Sequence, residues 1–283
     1  MDISFNQVSF TYQKGTPFEH HALHNVSTSI SSGTMTAVIG QTGSGKSTFI
    51  QHVNGLYYPT EGSVEVGDFT ITQDGLKSIK KLRQQVGMVF QYPEHQLFEE
   101  NVRQELLFGP RNFGLEVSDS RLNEIFNMVG LPNEVLEKSP FELSGGQKRR
   151  VAIASVLVLE PKVLILDEPT AGLDPAGKQQ IMNLFKSLQV EKQMTVVWIT
   201  HDMTEVLTYA DNVIVFHEGK LMGPAAPKAL FRNKELLAQT SLNKPSVLKF
   251  LDELKDQIGV SINYNDQSAI ELADEIIKVG EKS

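Results

Sequence analysis

Gly40-Gln41-Thr42-Gly43-Ser44-Gly45-Lys46-Ser47 is the stretch on which the reading of this chain turns. It fits the pattern G-x-x-x-x-G-K-[ST], in which glycines let the backbone curl until several N–H groups face one anion. The residues on either side supply the context that pattern needs. Met35–Ile39 is a short apolar run ending at Gly40, and Ser47 onward has helical character. Strand, glycine loop and helix follow one another, and the helix adds its positive N-terminal end to the loop. Lys46 would place a point charge on the β- and γ-phosphates of a nucleotide. The Ser47 hydroxyl is a hard oxygen ligand suited to Mg²⁺. Gly40 to Ser47, with the following Thr48, form the expected nucleotide-binding set.

Outward from the loop, the same strand-and-helix alternation continues. Val163–Leu166 and Thr195–Thr200 are short, apolar and rich in β-branched residues, as buried strands of a largely parallel sheet are. Between them, Ile181, Leu184, Phe185 and Leu188 have helical spacing within Gly177–Gln189. The expected fold class is therefore α/β, a phosphate-loop core with a mostly parallel sheet. The opening residues alternate differently: Ile3, Phe5, Val8, Phe10 and Tyr12 read as strand, which predicts an antiparallel N-terminal β subdomain. Residues 94–160 are punctuated by Pro and Gly between helical stretches, among them Ser118–Val129 and Gly145–Leu159, and read as an inserted helical subdomain. After about residue 225 the character shifts again. Ser246–Ile258 and Gln267–Val279 predict amphipathic helices, with Leu248, Leu251 and Leu254 on one side of the first. The division expected is a cassette over 1–225 and a helical extension over 226–283.

The strand Val163–Leu166 ends in Asp167 and Glu168. Asp167 would hold Mg²⁺, and Glu168 could accept a proton from an attacking water. Bulk properties narrow the setting. The chain has 283 residues, 40% of them hydrophobic, enough for a stable core. It has no cysteine, so no disulfide holds it, which is compatible with a reduced cytoplasmic setting. Its net charge of −8 argues against a surface built to coat nucleic acid. The start, MDISFNQVSFTY, lacks the pattern of a signal peptide, and no apolar run reaches the length of a spanning helix. A role at a membrane would run through partners.

Leu143-Ser144-Gly145-Gly146-Gln147 places a capping serine and two glycines at the start of a helical stretch, a second anion-binding terminus. The phosphate loop already surrounds its own nucleotide, so a second such terminus suggests a second chain. With this stretch the sequence resembles the ABC ATPases, whose signature is LSGGQ, over about residues 2–225. The resemblance implies that two cassettes pack head to tail and that Ser144, Gly145, Gly146 and Gln147 close on the γ-phosphate held by the other. It implies further roles position by position. Tyr12 resembles the aromatic residue that stacks on adenine, with Phe10 as the competing candidate. Gln91 resembles the glutamine that contacts Mg²⁺ and senses a membrane subunit. Asp174, in Ala171-Gly172-Leu173-Asp174, matches the loop between the cassettes, and His201 matches the histidine that reaches the γ-phosphate.

A narrower likeness surrounds Gln91. Phe90-Gln91-Tyr92-Pro93-Glu94-His95-Gln96-Leu97-Phe98, followed by Leu107-Phe108-Gly109-Pro110-Arg111-Asn112-Phe113-Gly114, is similar to the second ATPase type of energy-coupling factor (ECF) importers of vitamins and metals. That resemblance implies a module of four parts at the cytoplasmic face of the membrane. They are two usually non-identical ATPases, a membrane coupling protein and a small substrate-capture membrane protein, with ATP and Mg²⁺ as ligands. Leu97 and Phe98 are candidates to receive a coupling helix; the alternative is that they belong to the core of the helical subdomain. A conventional ABC importer or exporter subunit is the rival reading. Translation factors of this class carry two cassettes, and repair proteins insert a long coiled coil between Gln91 and the signature; neither fits. His20, His21 and His24 are loosely spaced and read as an exposed loop rather than a metal site.

Overall fold

The computed structural model describes residues 1–259, 261–265, 267 and 269–280. The chain opens with β1 (Ile3–Tyr12) and β2 (His20–Ile30), then β3 (Met35–Gly40) runs through the glycine loop into α1 (Lys46–Val53). The strands β4 (Glu61–Val66) and β5 (Phe69–Ile71) precede α2 (Ile79–Gln85) and β6 (Val86–Val89). Three helices follow: α3 (Val102–Phe113), α4 (Asp119–Val129) and α5 (Gly145–Leu157). The alternation resumes with β7 (Val163–Asp167), α6 (Pro175–Lys192), β8 (Thr195–Ile199) and α7 (Met203–Tyr209). A hairpin, β9 (Asn212–His217) and β10 (Lys220–Ala225), ends this part. Beyond it lie α8 (Pro227–Arg232), α9 (Lys234–Thr240), α10 (Ser246–Ile258) and α11 (Ala269–Gly280).

Two sheets result. One is four-stranded and antiparallel, in the order β2-β1-β4-β5; the other is six-stranded, in the order β10-β9-β3-β8-β7-β6. In the larger sheet β6, β7, β8, β3 and β9 run parallel, and only β10 is antiparallel. The fold class is the one the sequence predicts. Period-two alternation splits the parallel strands between two cores. Val163, Ile165, Val197, Ile199, Ile214 and Phe216 face the smaller sheet and α1. Leu164, Leu166, Val196, Trp198, Val213 and Val215 face the opposite layer of helices. Both faces are covered, so these strands carry almost no polar residues.

The helices obey local signals. Ser118 caps α4 by accepting the Arg121 N–H at 3.2 Å, and Gly130 closes it in the left-handed conformation. Asp174 caps α6 by accepting the Gly177 N–H at 2.6 Å. In α10, Leu251 is buried and Leu248 packs against the larger hydrophobic core, the apolar stripe expected there. Two features were not foreseen. The short helices α8 and α9 break at Asn233, and Leu230 and Phe231 of α8 are 1% exposed in the same core as Val213 and Val215 of β9. His20, His21 and His24 lie on β2 rather than in a loop, because Tyr12 and Thr11 pair with His20 and His21 across the ribbon. They are exposed, and among the described residues no cluster with metal-ligating composition occurs.

Candidate functional site

Parallel pairing brings the chemistry-bearing residues to one edge. Val89 lies beside Leu166, Asp167 beside Ile199, and Ile199 beside Val38. Gln91, Glu168, His201 and the loop after Gly40 therefore emerge together at the carboxyl ends of β6, β7, β8 and β3. This is the edge where open α/β sheets bind ligands.

The phosphate loop is held tightly against the hairpin β9–β10. Gly40 has φ +148°, and a Cβ there would lie 2.2 Å from the Phe216 carbonyl oxygen. Gly45 has φ +102°, and its Cβ would meet the Ala22 carbonyl oxygen at 2.6 Å. Neither position has room for a side chain. The Gly219 N–H donates to the Ser44 carbonyl at 3.0 Å, tying the hairpin turn to the loop. Lys46 is 6% exposed and donates to the carbonyls of Gly40 (2.9 Å) and Gln41 (2.8 Å). Burial lowers its pKa, while the carboxylates of Glu168 and Asp167 pull the other way. The Ser44 hydroxyl is buried with no hydrogen-bond partner, so its O–H can donate to an anionic ligand in the loop.

Beside the loop sit the two carboxylates. Burial raises the Asp167 pKa, the Glu168 charge raises it further, and the Ser47 hydroxyl and Lys46 oppose the rise. A carboxylate held above its ordinary range beside a serine hydroxyl is a set of hard oxygen donors that a divalent cation would stabilise. Glu168 has a left-handed backbone, φ +48°, a strained value for a residue with a Cβ. Its carboxylate is gripped from both sides. Gln91 Nε2 donates to Oε2 at 2.6 Å, and His201 Nε2 lies 2.6 Å from Oε1. Three strand ends thus converge on one carboxylate.

Tyr12 is half-buried. Its hydroxyl shares a hydrogen bond with Thr48 Oγ1 at 2.9 Å, and burial raises its pKa. Phe10, the competing ring, is 8% exposed and packs in the core, edge-on to Tyr12 at 4.8 Å and to the buried His52 at 4.9 Å.

Ser144 caps α5 in a reciprocal capping box. Its Oγ accepts the Gln147 N–H at 3.3 Å, and Gln147 Oε1 accepts the Ser144 N–H at 3.0 Å. Ser144, Gly145 and Gly146 are exposed, and a Cβ on either glycine would meet nothing within 4 Å. Gly146 shares an open cleft with Gly172, Leu173 and Asp174.

The structure divides the pair Leu97 and Phe98. Leu97 is 9% exposed within the core of the helical layer, so the expectation that it faces a partner is corrected. Phe98 is 59% exposed and stands edge-on to Phe108 at 4.9 Å. Sequence reasoning missed two buried charges. Arg149 is 4% exposed and forms a fork with Glu94, with N–O distances of 2.7 and 3.0 Å. Glu205, 6% exposed, accepts the hydroxyl hydrogen of Thr200, the residue before His201, at 2.8 Å, and burial raises its pKa. Neither carried a local signal: Arg149 stands between Lys148 and Arg150, and Glu205 follows Asp202 and Thr204, so only packing distinguishes them from surface charges.

Such an arrangement is that of a phosphate-loop ATPase carrying a second anion-binding terminus out on its surface. A family model described as "ABC transporter" matches residues 23–171. An energy-coupling factor transporter ATP-binding protein EcfA2 of Ligilactobacillus salivarius is 48% identical over 282 residues, 99% of this chain and 98% of that protein. A protein of the same name from Geobacillus kaustophilus is 49% identical, covering 93% of this chain and 91% of its own. Among solved structures, cbiO1 from Clostridium perfringens, described as part of the ABC transporter complex cbiONQ, superposes with a TM-score of 0.73. It is 38% identical, covering 88% of this chain and 98% of that one. The ATP-binding cassette MJ0796, solved as a dimer in a post-hydrolysis state with ADP and Pi, gives a TM-score of 0.69 at 30% identity. That match covers 80% of this chain and 98% of the other.

The chain belongs to the ABC transporter family, among the ATP-binding proteins of energy-coupling factor transporters. It is an ATP-binding subunit that couples ATP hydrolysis to transport, and it works with other ATPase and membrane components.

Proposed function

We propose that this chain is one half of an ATPase sandwich in which each ATP is held by the phosphate loop of one cassette and the signature of the other. The second half is a non-identical ATPase subunit. The pair works at the cytoplasmic face of the membrane, docked on a coupling protein that serves small substrate-capture proteins for vitamins or other micronutrients. Among the described residues no helix is long and apolar enough to cross a membrane.

The observation that carries this reading is the contrast between a Glu168 carboxylate gripped at 2.6 Å on both sides and a signature cap that faces outward. The first is catalytic machinery waiting for a phosphate; the second is an anion site waiting for another chain's nucleotide. Tyr12 is the ring for adenine, since Phe10 is committed to the core. The loop N–H groups and Lys46 cradle the phosphates, and Thr48 lies next to them. Ser47, Asp167 and Gln91 would hold Mg²⁺: the Gln91 amide nitrogen is spent on Glu168, leaving its carbonyl oxygen for the metal. Bound there, the ion would neutralise charge on the β- and γ-phosphate oxygens.

Glu168 accepts the proton of the attacking water, and His201 fixes Glu168 and reaches the γ-phosphate from the next strand. Ser144, Gly145, Gly146 and Gln147 present N–H groups and a hydroxyl to the partner's γ-phosphate. Asp174, at the start of α6, communicates between the halves. Tyr92 and Phe98, 41% and 59% exposed beside Gln91, offer the surface for a coupling helix, with Phe108 behind Phe98.

Replacement of Glu168 by Gln tests the assignment of the base. The expected result is a closed, ATP-bound pair that size-exclusion chromatography resolves and that turns over slowly. Normal hydrolysis by that variant would remove Glu168 from the role.

A further inference from the structure

Between α7, α8 and α10 lies a cavity of about 270 Å³, none of whose lining residues belongs to the nucleotide site. Among the described residues four cations line it, against one carboxylate, Asp252. Lys228 and Arg232 stand one turn apart on α8, and Lys255 stands one turn beyond Leu251 on α10. Lys244, just before α10, is spent on Asp252, with which it forms an ion pair. Arg232 and Lys255 have no carboxylate partner among the described residues. Ser261 and Asn263 add polar side chains from the segment after α10, while the buried Phe231 and Leu251 supply apolar lining.

Folding alone does not favour this arrangement. Like charges four residues apart on a helix, as on α8, repel each other. The whole chain carries a net charge of −8, so a cationic hollow runs against its composition. Apolar lining lowers the local dielectric, which strengthens both the repulsion among the cations and their attraction for an anion. The guanidinium of Arg232 presents a planar fork that matches two oxygens of one phosphate, and Lys255 adds a point charge. The Ser261 hydroxyl and the Asn263 amide are donors for the remaining oxygens. The volume falls below the roughly 300–1,000 Å³ of pockets for drug-sized ligands, so it suits a phosphate or pyrophosphate group rather than a whole nucleotide.

We propose that this cavity is a second anion site, which takes a phosphate or pyrophosphate group and thereby fastens α10 to α7 and α8. Arg232 and Lys255 grip the ligand from two different helices, so its binding joins segments that otherwise meet through Leu251 and Phe231. The site stands independently of the two-cassette reading, since it shares no residue with the phosphate loop or the signature. The phosphate has two sources, a soluble phosphate compound and the headgroup of an acidic lipid, and the test tells them apart.

The test uses the full chain with its phosphate loop filled by an excess of a non-hydrolysable ATP analogue, so that added anions do not report on Lys46. Inorganic phosphate and pyrophosphate are titrated by calorimetry, and flotation is measured with vesicles of phosphatidylglycerol or of phosphatidylcholine. The variants are Arg232→Gln, Lys255→Gln and the two combined. Lys77→Gln with Lys81→Gln, in a separate exposed basic cluster at α2, controls for charge in general. Pyrophosphate is expected to bind the wild type with a dissociation constant of about 1 mM or tighter, each single variant weakening it about tenfold and the control changing it less than about twofold. Pyrophosphate should raise the thermal midpoint of the wild type and not that of the double variant, which without ligand should be at least as stable as the wild type. Calorimetric binding without flotation assigns the phosphate to a soluble compound. Flotation on phosphatidylglycerol alone, lost in the double variant, assigns it to a lipid headgroup. The proposal is overturned by neither form of binding, by binding undiminished in the double variant, or by an equal loss in the control. A midpoint that falls in the double variant without ligand gives these cations to folding and overturns it as well.

Discussion

Two helices of this chain begin with a glycine-rich, anion-binding terminus, and their surroundings are opposite. The start of α1 is walled in: Lys46 and Thr48 are buried, the loop is tied to Gly219, and two glycines admit no Cβ. The start of α5 is bare. Its serine and glutamine cap each other, and its two glycines face open space. Open space around a glycine is not a folding requirement. On the proposed two-cassette reading, a terminus completed at home and a terminus left for a neighbour are the two halves of a composite site.

The largest expected effect falls on the carboxylate between them. Glu168→Gln should lower hydrolysis by about 10³-fold, in the range for loss of a general base, while ATP binding persists. Retention of activity, measured as phosphate release, would break the scheme at its centre. The glycines sharpen the contrast next. Gly40→Ala should abolish nucleotide binding and destabilise the fold by several kcal/mol, about the cost of a core clash plus a strained backbone. Gly146→Ala should leave the thermal midpoint unchanged or raise stability by up to about 1 kcal/mol, the helix preference for Ala. It should nevertheless slow hydrolysis in the assembled pair. Calorimetry beside a rate measurement separates the two outcomes; equal behaviour of the two glycine variants would erase the distinction.

A smaller effect concerns adenine. Tyr12→Ala should weaken ATP binding about tenfold, the worth of a stacked aromatic, whereas Tyr12→Phe should lose only the Thr48 hydrogen bond and stay within about threefold. Isothermal titration reads both.

A separate effect is one of pH, and it belongs to the last turn of α1. His52 of α1 is fully buried, and burial lowers its pKa from 6.5 to about 4. The unfolded chain therefore binds the proton first as pH falls. Stability should decline between pH 6.5 and about 4, by about 3 kcal/mol from this residue if the whole shift is expressed. Denaturant titrations of His52→Gln should show a flatter slope in that window; an unchanged slope would assign the acid sensitivity elsewhere.

The fold and much of the site were legible in the sequence because short-range rules govern them. Strand β7 announces itself as four apolar residues delivering Asp167 and Glu168, and the loop before α1 follows a fixed spacing. The capping box at Ser144 is also local. What was not legible is long-range. Leu97 and Phe98 are adjacent and alike in composition, yet one is core and the other surface, because the turn after Pro93 faces them in opposite directions. The Glu94–Arg149 fork spans residues that only the packing of α5 on the 3-10 turn brings together. Nor does periodicity reveal that three side chains from different strand ends meet at Glu168; that depends on the register of β6, β7 and β8.

The central claim is that the bare terminus of α5 serves a nucleotide it does not itself hold. The direct measurement is Ser144→Arg in this chain, with ATP affinity read on the isolated subunit and hydrolysis read on the complex assembled with its second ATPase. The account predicts an unaltered dissociation constant and a hydrolysis rate lower by about 10²-fold or more, the scale for losing a γ-phosphate donor. Weakened ATP binding by the isolated chain, or a complex that hydrolyses ATP at the wild-type rate, would contradict it.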